Sequence, residues 1–400
     1  MQQISNIKVL LILSISIMVS FAHNCFLHNR DYRCKLGTKT PYRFIANYND
    51  SPFEYTGCVP KKIWLILRHG TRFPSMKYIS SMTEKLPNLQ QIILDNYQKN
   101  KTSLMADDAV LLADWKITFT KDNIMKLAEE GENEMIDLGE RYQSRFPTLM
   151  PDDYNNETYR FKYTATQRTK ESARNFATGL FGRYSSHKVW YPEAEDKDPV
   201  LRFYKRCHRW LVEVHQNQSA QIERERFLKS EIFTKMLQDY LRQKCISETA
   251  YLMHMICGFE TAWQPSTESP WCRMFSLNDF KVLEYAEDLR KYWIDGYGHK
   301  LTYEQACSAL RDMFTFRISP IRMIEHGRPI IMLFYIPDAC IFCFSCSSGP
   351  SILSMHQERP LYLPGCPLNV PCPLSIMKAL YPDHEVECQF DAMCNIEENT

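Results

Sequence analysis

A histidine between two arginines, followed at once by glycine, is the densest chemistry in this chain: Arg68-His69-Gly70-Thr71-Arg72-Phe73-Pro74. Two guanidiniums around an imidazole suit phosphoryl transfer. Each guanidinium offers a planar fork of N–H donors that matches phosphate oxygens. The imidazole can attack phosphorus and carry the group as a covalent intermediate, while the fixed positive charge stabilises the transition state. Gly70 reads as a point where the backbone approaches the ligand with no side chain in the way. A third arginine, Arg168, follows Thr164-Ala165-Thr166-Gln167 at the predicted start of a helix, and a helix N-terminus itself favours anions.

The flanking elements must present these groups. Lys62 to Leu67 is short, apolar and rich in branched residues, so it reads as a buried strand that ends on the motif. Phe161 to Ala165 is a second candidate strand, and Thr169 to Phe181 a helix stopped near Gly182. Helical spacing recurs over Met82–Lys99, Lys121–Arg145, Ser219–Lys244, Ser247–Cys257 and Asp279–Trp293, and Pro329–Ile336 reads as a strongly apolar strand. In Lys121–Arg145 the Met135 and Leu138 stripe is expected to be core, with Glu129, Glu130, Glu132 and Glu134 mostly solvated. Strands separated by long helical stretches imply an α/β fold: a sheet flanked by helices, with a helical subdomain above it and ligands at the carboxyl ends of the strands.

Composition narrows the class. The 400 residues carry 44% hydrophobic and 24% charged side chains with a formal net charge of +1, an ordinary globular balance without the basic excess of a nucleic-acid binder. Lys8 ahead of an apolar run from Val9 to Phe21, then Ser20-Phe21-Ala22, predicts a secretory signal over residues 1–22, with no later span long and apolar enough for a membrane. The 15 cysteines then become disulfide candidates, the odd count leaving at least one unpaired within a monomer. Cys25 and Cys34, and Cys366, Cys372, Cys388 and Cys394, are expected to staple the two ends. Cys340, Cys343 and Cys346 have metal-like spacing, but without a second cluster zinc is the weaker reading, and no cofactor is expected. Asn100, Asn156, Asn217 and, less favourably with Pro52 behind it, Asn49 head glycosylation sequons. The terminal Glu397-Glu398-Asn399-Thr400 is not an ER-retention signal, so secretion or an endolysosomal destination is expected.

Arg-His-Gly-x-Arg-x-Pro resembles the signature of the histidine phosphatase superfamily in its acid phosphatase and phytase branch. Further segments resemble the multiple inositol polyphosphate phosphatases: Leu36 to Tyr42, Glu130-Gly131 to Arg141, Thr164 to Phe181, Tyr297-Gly298-His299, and Glu358 to Cys366. The resemblance implies a mostly parallel sheet flanked by helices, with a helical cap formed by insertions. The core would comprise about residues 38–74, 160–185 and 280–366, and the cap about 75–150 and 190–275. It implies His69 as nucleophile, Arg68 and Arg72 as phosphate clamp, Arg168 as third phosphate-binding arginine, and a small polyanionic phosphate ester as ligand. Lys39 and either Lys61 or Lys62 are candidates for holding further phosphates. A general acid phosphatase or phytase, and a phosphate-binding protein of little turnover, are the alternatives.

One implied motif is missing. The branch carries His-Ala-Glu, and its relatives His-Asp, in which the carboxylic acid protonates the leaving alkoxide. None of the 11 histidines here is followed by Asp or by Ala-Glu. Beyond Ala309-Leu310-Arg311-Asp312-Met313-Phe314 the chain passes almost directly to Arg317-Ile318-Ser319-Pro320, where the family has a substantial segment. Glu325-His326 and His384-Glu385 have suitable residue types, but both read as surface loops, and no proton donor is assigned.

Overall fold

The computed structural model describes residues 25, 30–217, 219–235, 247–318, 330–334, 339–347, 349–356, 358–363, 365–380 and 388–395. The expected signal segment and the Glu325-His326 and His384-Glu385 pairs lie outside them. Strands β1 (Cys58–Leu67), β2 (Tyr159–Tyr163), β3 (Ile330–Phe334), β4 (Ala339–Cys346) and β5 (Gly349–His356) run in the order β2-β3-β1-β4-β5, with two short strands against β5. The sheet is mixed rather than mostly parallel. β3 is parallel to β1 and to β2, with Leu67 and Tyr163 both in register with Phe334, whereas β4 and β5 are antiparallel. The parallel trio therefore ends its three strands on one edge, where the motif begins.

The longer helices are α1 (Met76–Gln98), α2 (Ala106–Asp114), α3 (Glu129–Arg145), α4 (Gln167–Ser185), α5 (Ser219–Leu228), α6 (Ser247–Trp263), α7 (Leu277–Asp295) and α8 (Cys307–Ile318). Alternation along β1 separates its two faces. Ile63, Leu65 and Leu67 pack with Met135, Leu138 and Tyr142 of α3 and with Ala173, Phe176 and Leu180 of α4. Trp64 and Ile66 meet Met313 and Phe314 of α8 on the other side, where the Trp64 indole N–H donates to Asp312 at 3.0 Å. A separate core joins α1, α2, α6 and α7 around the fully buried Trp271. The structure thus draws the core–cap line differently from the expectation: α3 belongs to the sheet layer, while Phe280, Leu283 and Ala286 of α7 pack with the helical unit.

α3 and α4 touch almost backbone to backbone, since a Cβ on Gly179 would sit 2.2 Å from the Ile136 carbonyl. Gly182, at φ +69°, interrupts α4 at the predicted stop. Six disulfides are formed: Cys25–Cys34, Cys58–Cys346, Cys207–Cys394, Cys257–Cys272, Cys307–Cys388 and Cys366–Cys372. The chain beyond Cys366 adds helices at Leu374–Leu380 and Phe390–Cys394, and two of these disulfides anchor its end. Cys340, Cys343 and Cys346 fall on one strand, and Cys346 is bonded to Cys58.

Candidate active site

The motif occupies the turn after β1, and contacts at the level of the backbone set its shape. A Cβ on Gly70 would lie 2.2 Å from the Gly131 carbonyl oxygen, and one on Gly131 would lie 2.2 Å from that of Thr71. The two glycines let the motif turn lie against the first turn of α3. Gly70 is therefore required by this packing, and it also lines the pocket at the motif. The Gly70 N–H donates to Ser172 Oγ of α4 at 3.1 Å. The Thr71 N–H donates to Glu134 Oε2 at 2.7 Å, and the Thr71 hydroxyl and Tyr42 N–H both donate to Glu134 Oε1 at 3.1 Å. Glu134, expected on a solvated face, is buried, and burial pushes its carboxyl up to about 7 against the pull of those donors. Glu130 is buried too, in an ion pair with Arg43. No helical wheel could show that the polar face of α3 receives the motif loop.

His69 is 9% exposed, and its Nδ1 lies 2.8 Å from the Gly70 carbonyl oxygen. A carbonyl can only accept, so Nδ1 carries the proton and Nε2 keeps its lone pair. Burial, then the charge of Arg68, Arg168 and Arg72, brings the imidazole down to about 3. Above about pH 3 His69 is thus a neutral imidazole, with Nδ1–H held on the Gly70 carbonyl and the Nε2 lone pair free of a proton.

Arg72 donates from Nη1 to the Phe73 carbonyl at 2.8 Å and meets Met125 Sδ at 3.3 Å. Burial and the neighbouring Arg168 and Arg68 lower it to about 10, so it stays charged. Arg168 is the second residue of α4, as expected, and its buried Nε has no acceptor among the described residues. Burial and Arg202 depress its pKa. Arg202, which sequence reading passed over, is 6% exposed and held by Asp196 at 2.8 Å. Its only sequence signal was an arginine in an otherwise apolar stretch, Val200-Leu201-Arg202-Phe203.

Arg68, His69, Gly70 and Arg72 line a cavity of about 210 Å³, closed on its other side by Gly37 to Thr40, Phe259 and Ala262. Lys39 is therefore at the site. Its ammonium, however, is paired with Glu287 at 2.5 Å, and the Tyr251 hydroxyl donates to the same carboxylate oxygen at 2.8 Å. Burial opposes ionisation of Glu287, but Lys39 outweighs it and holds that carboxyl down to about 2. Lys61 and Lys62 are placed elsewhere, near the start of β1. Lys62 is seven residues before His69, about 23 Å at the rise of an extended strand. They do not join the site.

A sequence profile of the histidine phosphatase superfamily (branch 2) matches residues 61–318. The chain belongs to this superfamily. It is 29% identical to multiple inositol polyphosphate phosphatase 1 of Drosophila melanogaster over 78% of its own length and 69% of that protein's. It is 26% identical to the Homo sapiens protein of the same name, over 74% and 64% of the two chains. The chain therefore spans about two thirds of the length of these relatives. Among solved structures, the histidine phosphatase fold recurs in the phytase from D. castellii, with a TM-score of 0.70 at 16% identity over 91% of this chain and 88% of the other. It recurs again in a Bifidobacterium longum multiple inositol polyphosphate phosphatase complexed with inositol hexasulfate, with a TM-score of 0.61 at 13% identity over 89% and 99% of the chains.

Proposed function

We propose that this histidine phosphatase hydrolyses phosphomonoesters of polyphosphorylated inositols, with His69 as nucleophile and Arg68, Arg72 and Arg168 as the phosphate clamp. The observation that carries the reading is His69 itself: a buried, neutral imidazole whose Nδ1–H is fixed on the Gly70 carbonyl, set among arginines that repel its protonation. Nε2 attacks phosphorus, the P–O bond to the alcohol breaks, and the alcohol oxygen leaves with a proton. Water then attacks the phosphohistidine, releasing inorganic phosphate and restoring Nε2. Relatives named as inositol polyphosphate phosphatases, and a homologous fold solved with inositol hexasulfate, support a polyanionic substrate. Arg202, beyond Arg168, would meet an outer phosphate.

The acid step is the weak point of the sequence, and the pocket lining sharpens it. Its one carboxyl group among the described residues is Glu134, whose two oxygens hold Thr71 and Tyr42. That engagement makes Glu134 a positioning residue for the motif loop rather than a proton donor. General acid assistance is worth about 10²–10⁴-fold, and it matters most for an alkoxide leaving group. The deciding experiment is phosphate release by folded protein from inositol hexakisphosphate and from p-nitrophenyl phosphate, with His69→Ala as control. Release from both, abolished by His69→Ala, establishes the reading and calls for Glu325→Gln and Glu385→Gln to locate the acid. Release from the aryl ester alone means the nucleophile works without an acid. Binding of inositol hexakisphosphate with no release from either sinks the hydrolase reading in favour of a binding protein.

A further inference from the structure

A second cavity, of about 350 Å³, lies along β2 and shares no lining residue with the pocket at the motif. Four consecutive residues, Tyr159 to Lys162, line it, with Trp190 and Pro192 among those facing them. Successive strand residues point to opposite faces, so a cleft that touches four in a row follows the strand's edge. β2 is the outermost strand of the sheet order, paired among the described residues with β3 alone. Val200, which packs with the cluster around Trp64 of β1, and Asp312, which accepts the Trp64 indole N–H, line the cleft as well. Asn156 stands at the rim, exposed on the turn that leads into β2, and it heads the sequon Asn156-Glu157-Thr158. Trp190 is 66% exposed, an unusual position for so large an apolar ring.

We propose that Asn156 carries an N-linked glycan whose first sugars are seated in this cleft, stacked on Trp190 and covering the open edge of β2. Attachment forms a bond from Asn156 Nδ2 to C1 of N-acetylglucosamine. The C1–O bond to a polyprenyl-diphosphate carrier breaks, one amide proton is lost, and the carrier leaves as its diphosphate. The apolar face of a pyranose ring suits an exposed indole, and the amide and hydroxyl groups of the sugar suit the polar rim of Asn156 and Arg160. The seat also answers the hazard of an open strand edge, which otherwise invites pairing with another chain. The other described sequons lack this setting: Asn49 accepts the Ser51 N–H at 3.1 Å with Pro52 next in the chain, Asn100 follows α1 in the left-handed region at φ 52°, and the Asn217 amide is turned to the Glu213 carbonyl at 2.9 Å. The inference rests on entry of the chain into the secretory pathway, with which six disulfides agree.

The test is expression of the full chain from a eukaryotic secretory host, glycopeptide mapping at all four sequons, and native endoglycosidase digestion of wild type and Trp190→Ala. The expected result is sugar on Asn156 and trimming there about fivefold slower in wild type than in Trp190→Ala, the protection an aromatic contact of ordinary strength provides. Trp190 is exposed, so the variant folds, and its unchanged melting temperature verifies that. Bare Asn156 beside another occupied sequon overturns the proposal. Equal trimming in both proteins overturns the seat. Four bare sequons remove the secretory premise as well as the glycan.

Discussion

The two walls of the catalytic pocket are both cationic and both buried, yet they handle charge in opposite ways. Around the motif, no ion pair joins Arg72 or Arg168 to a carboxylate among the described residues, and burial, then neighbouring arginines, lowers the pKa of Arg72, Arg168 and His69. On the facing wall Lys39 is neutralised by Glu287, which Tyr251 also holds. Burying a charge with no partner is costly, and a protein retains such an arrangement where a ligand supplies the opposite charge. A buried pair needs no ligand. The proposed phosphate clamp is therefore the side where Arg72 and Arg168 have no ion-pair partner among the described residues, while the Lys39 wall joins the N-terminal segment to α6 and α7.

Breaking the paired wall should give the largest loss of stability. Glu287→Ala strands the Lys39 ammonium, and chemical denaturation should show a loss of about 3–5 kcal/mol. Glu287→Leu combined with Lys39→Met should recover most of it. If the single variant is as stable as wild type, the two walls do not differ as described.

Arg72→Ala tests the opposite wall. It removes a charge that its neighbours repel, so the melting temperature should hold or rise, while kcat for phosphate release falls about 10²–10³-fold. Inorganic phosphate should raise the melting temperature of wild type more than that of the variant. A variant that loses stability and keeps its turnover would reverse the assignment.

The third test is a pH dependence. Folded His69 takes up its proton only near pH 3, whereas in the unfolded chain it does so near 6.5. Between those values the unfolded state binds more protons, so stability falls as pH falls from 6.5 to 3, by at most about 1.4 kcal/mol per pH unit from this group. His69→Gln should flatten the slope in that window, and bound phosphate should reduce it by favouring the imidazolium. An unchanged slope in His69→Gln would mean that the arginines do not govern this imidazole.

Much of the site was legible because its chemistry is local in sequence. The seven-residue motif, the apolar strand before it and the arginine at a strand-to-helix junction need only the alternation of β1 and the cap of α4 to be placed. Gly182 was readable as a helix stop for the same reason. The glutamates of α3 were misread because helical periodicity shows which side chains share a face and not what lies against that face. Glu134 and Glu130 are on the polar side, and the motif loop and Arg43 come from far along the chain to cover them. Lys62 failed in the reverse way, since nearness in sequence along an extended strand is distance in space.

The sequence by itself determined the family and put forward His69 and the arginines around it as the candidate site, since residue types at fixed spacing encode local geometry directly. Only the tertiary structure decided that the sheet is mixed, that Gly70 is required by Gly131, that Lys39 is neutralised by a glutamate 248 residues away, and that Arg202 stands behind Arg168. Each of those depends on which distant segments meet, and burial with its low dielectric then sets whether a charge is held by a partner or kept for a ligand.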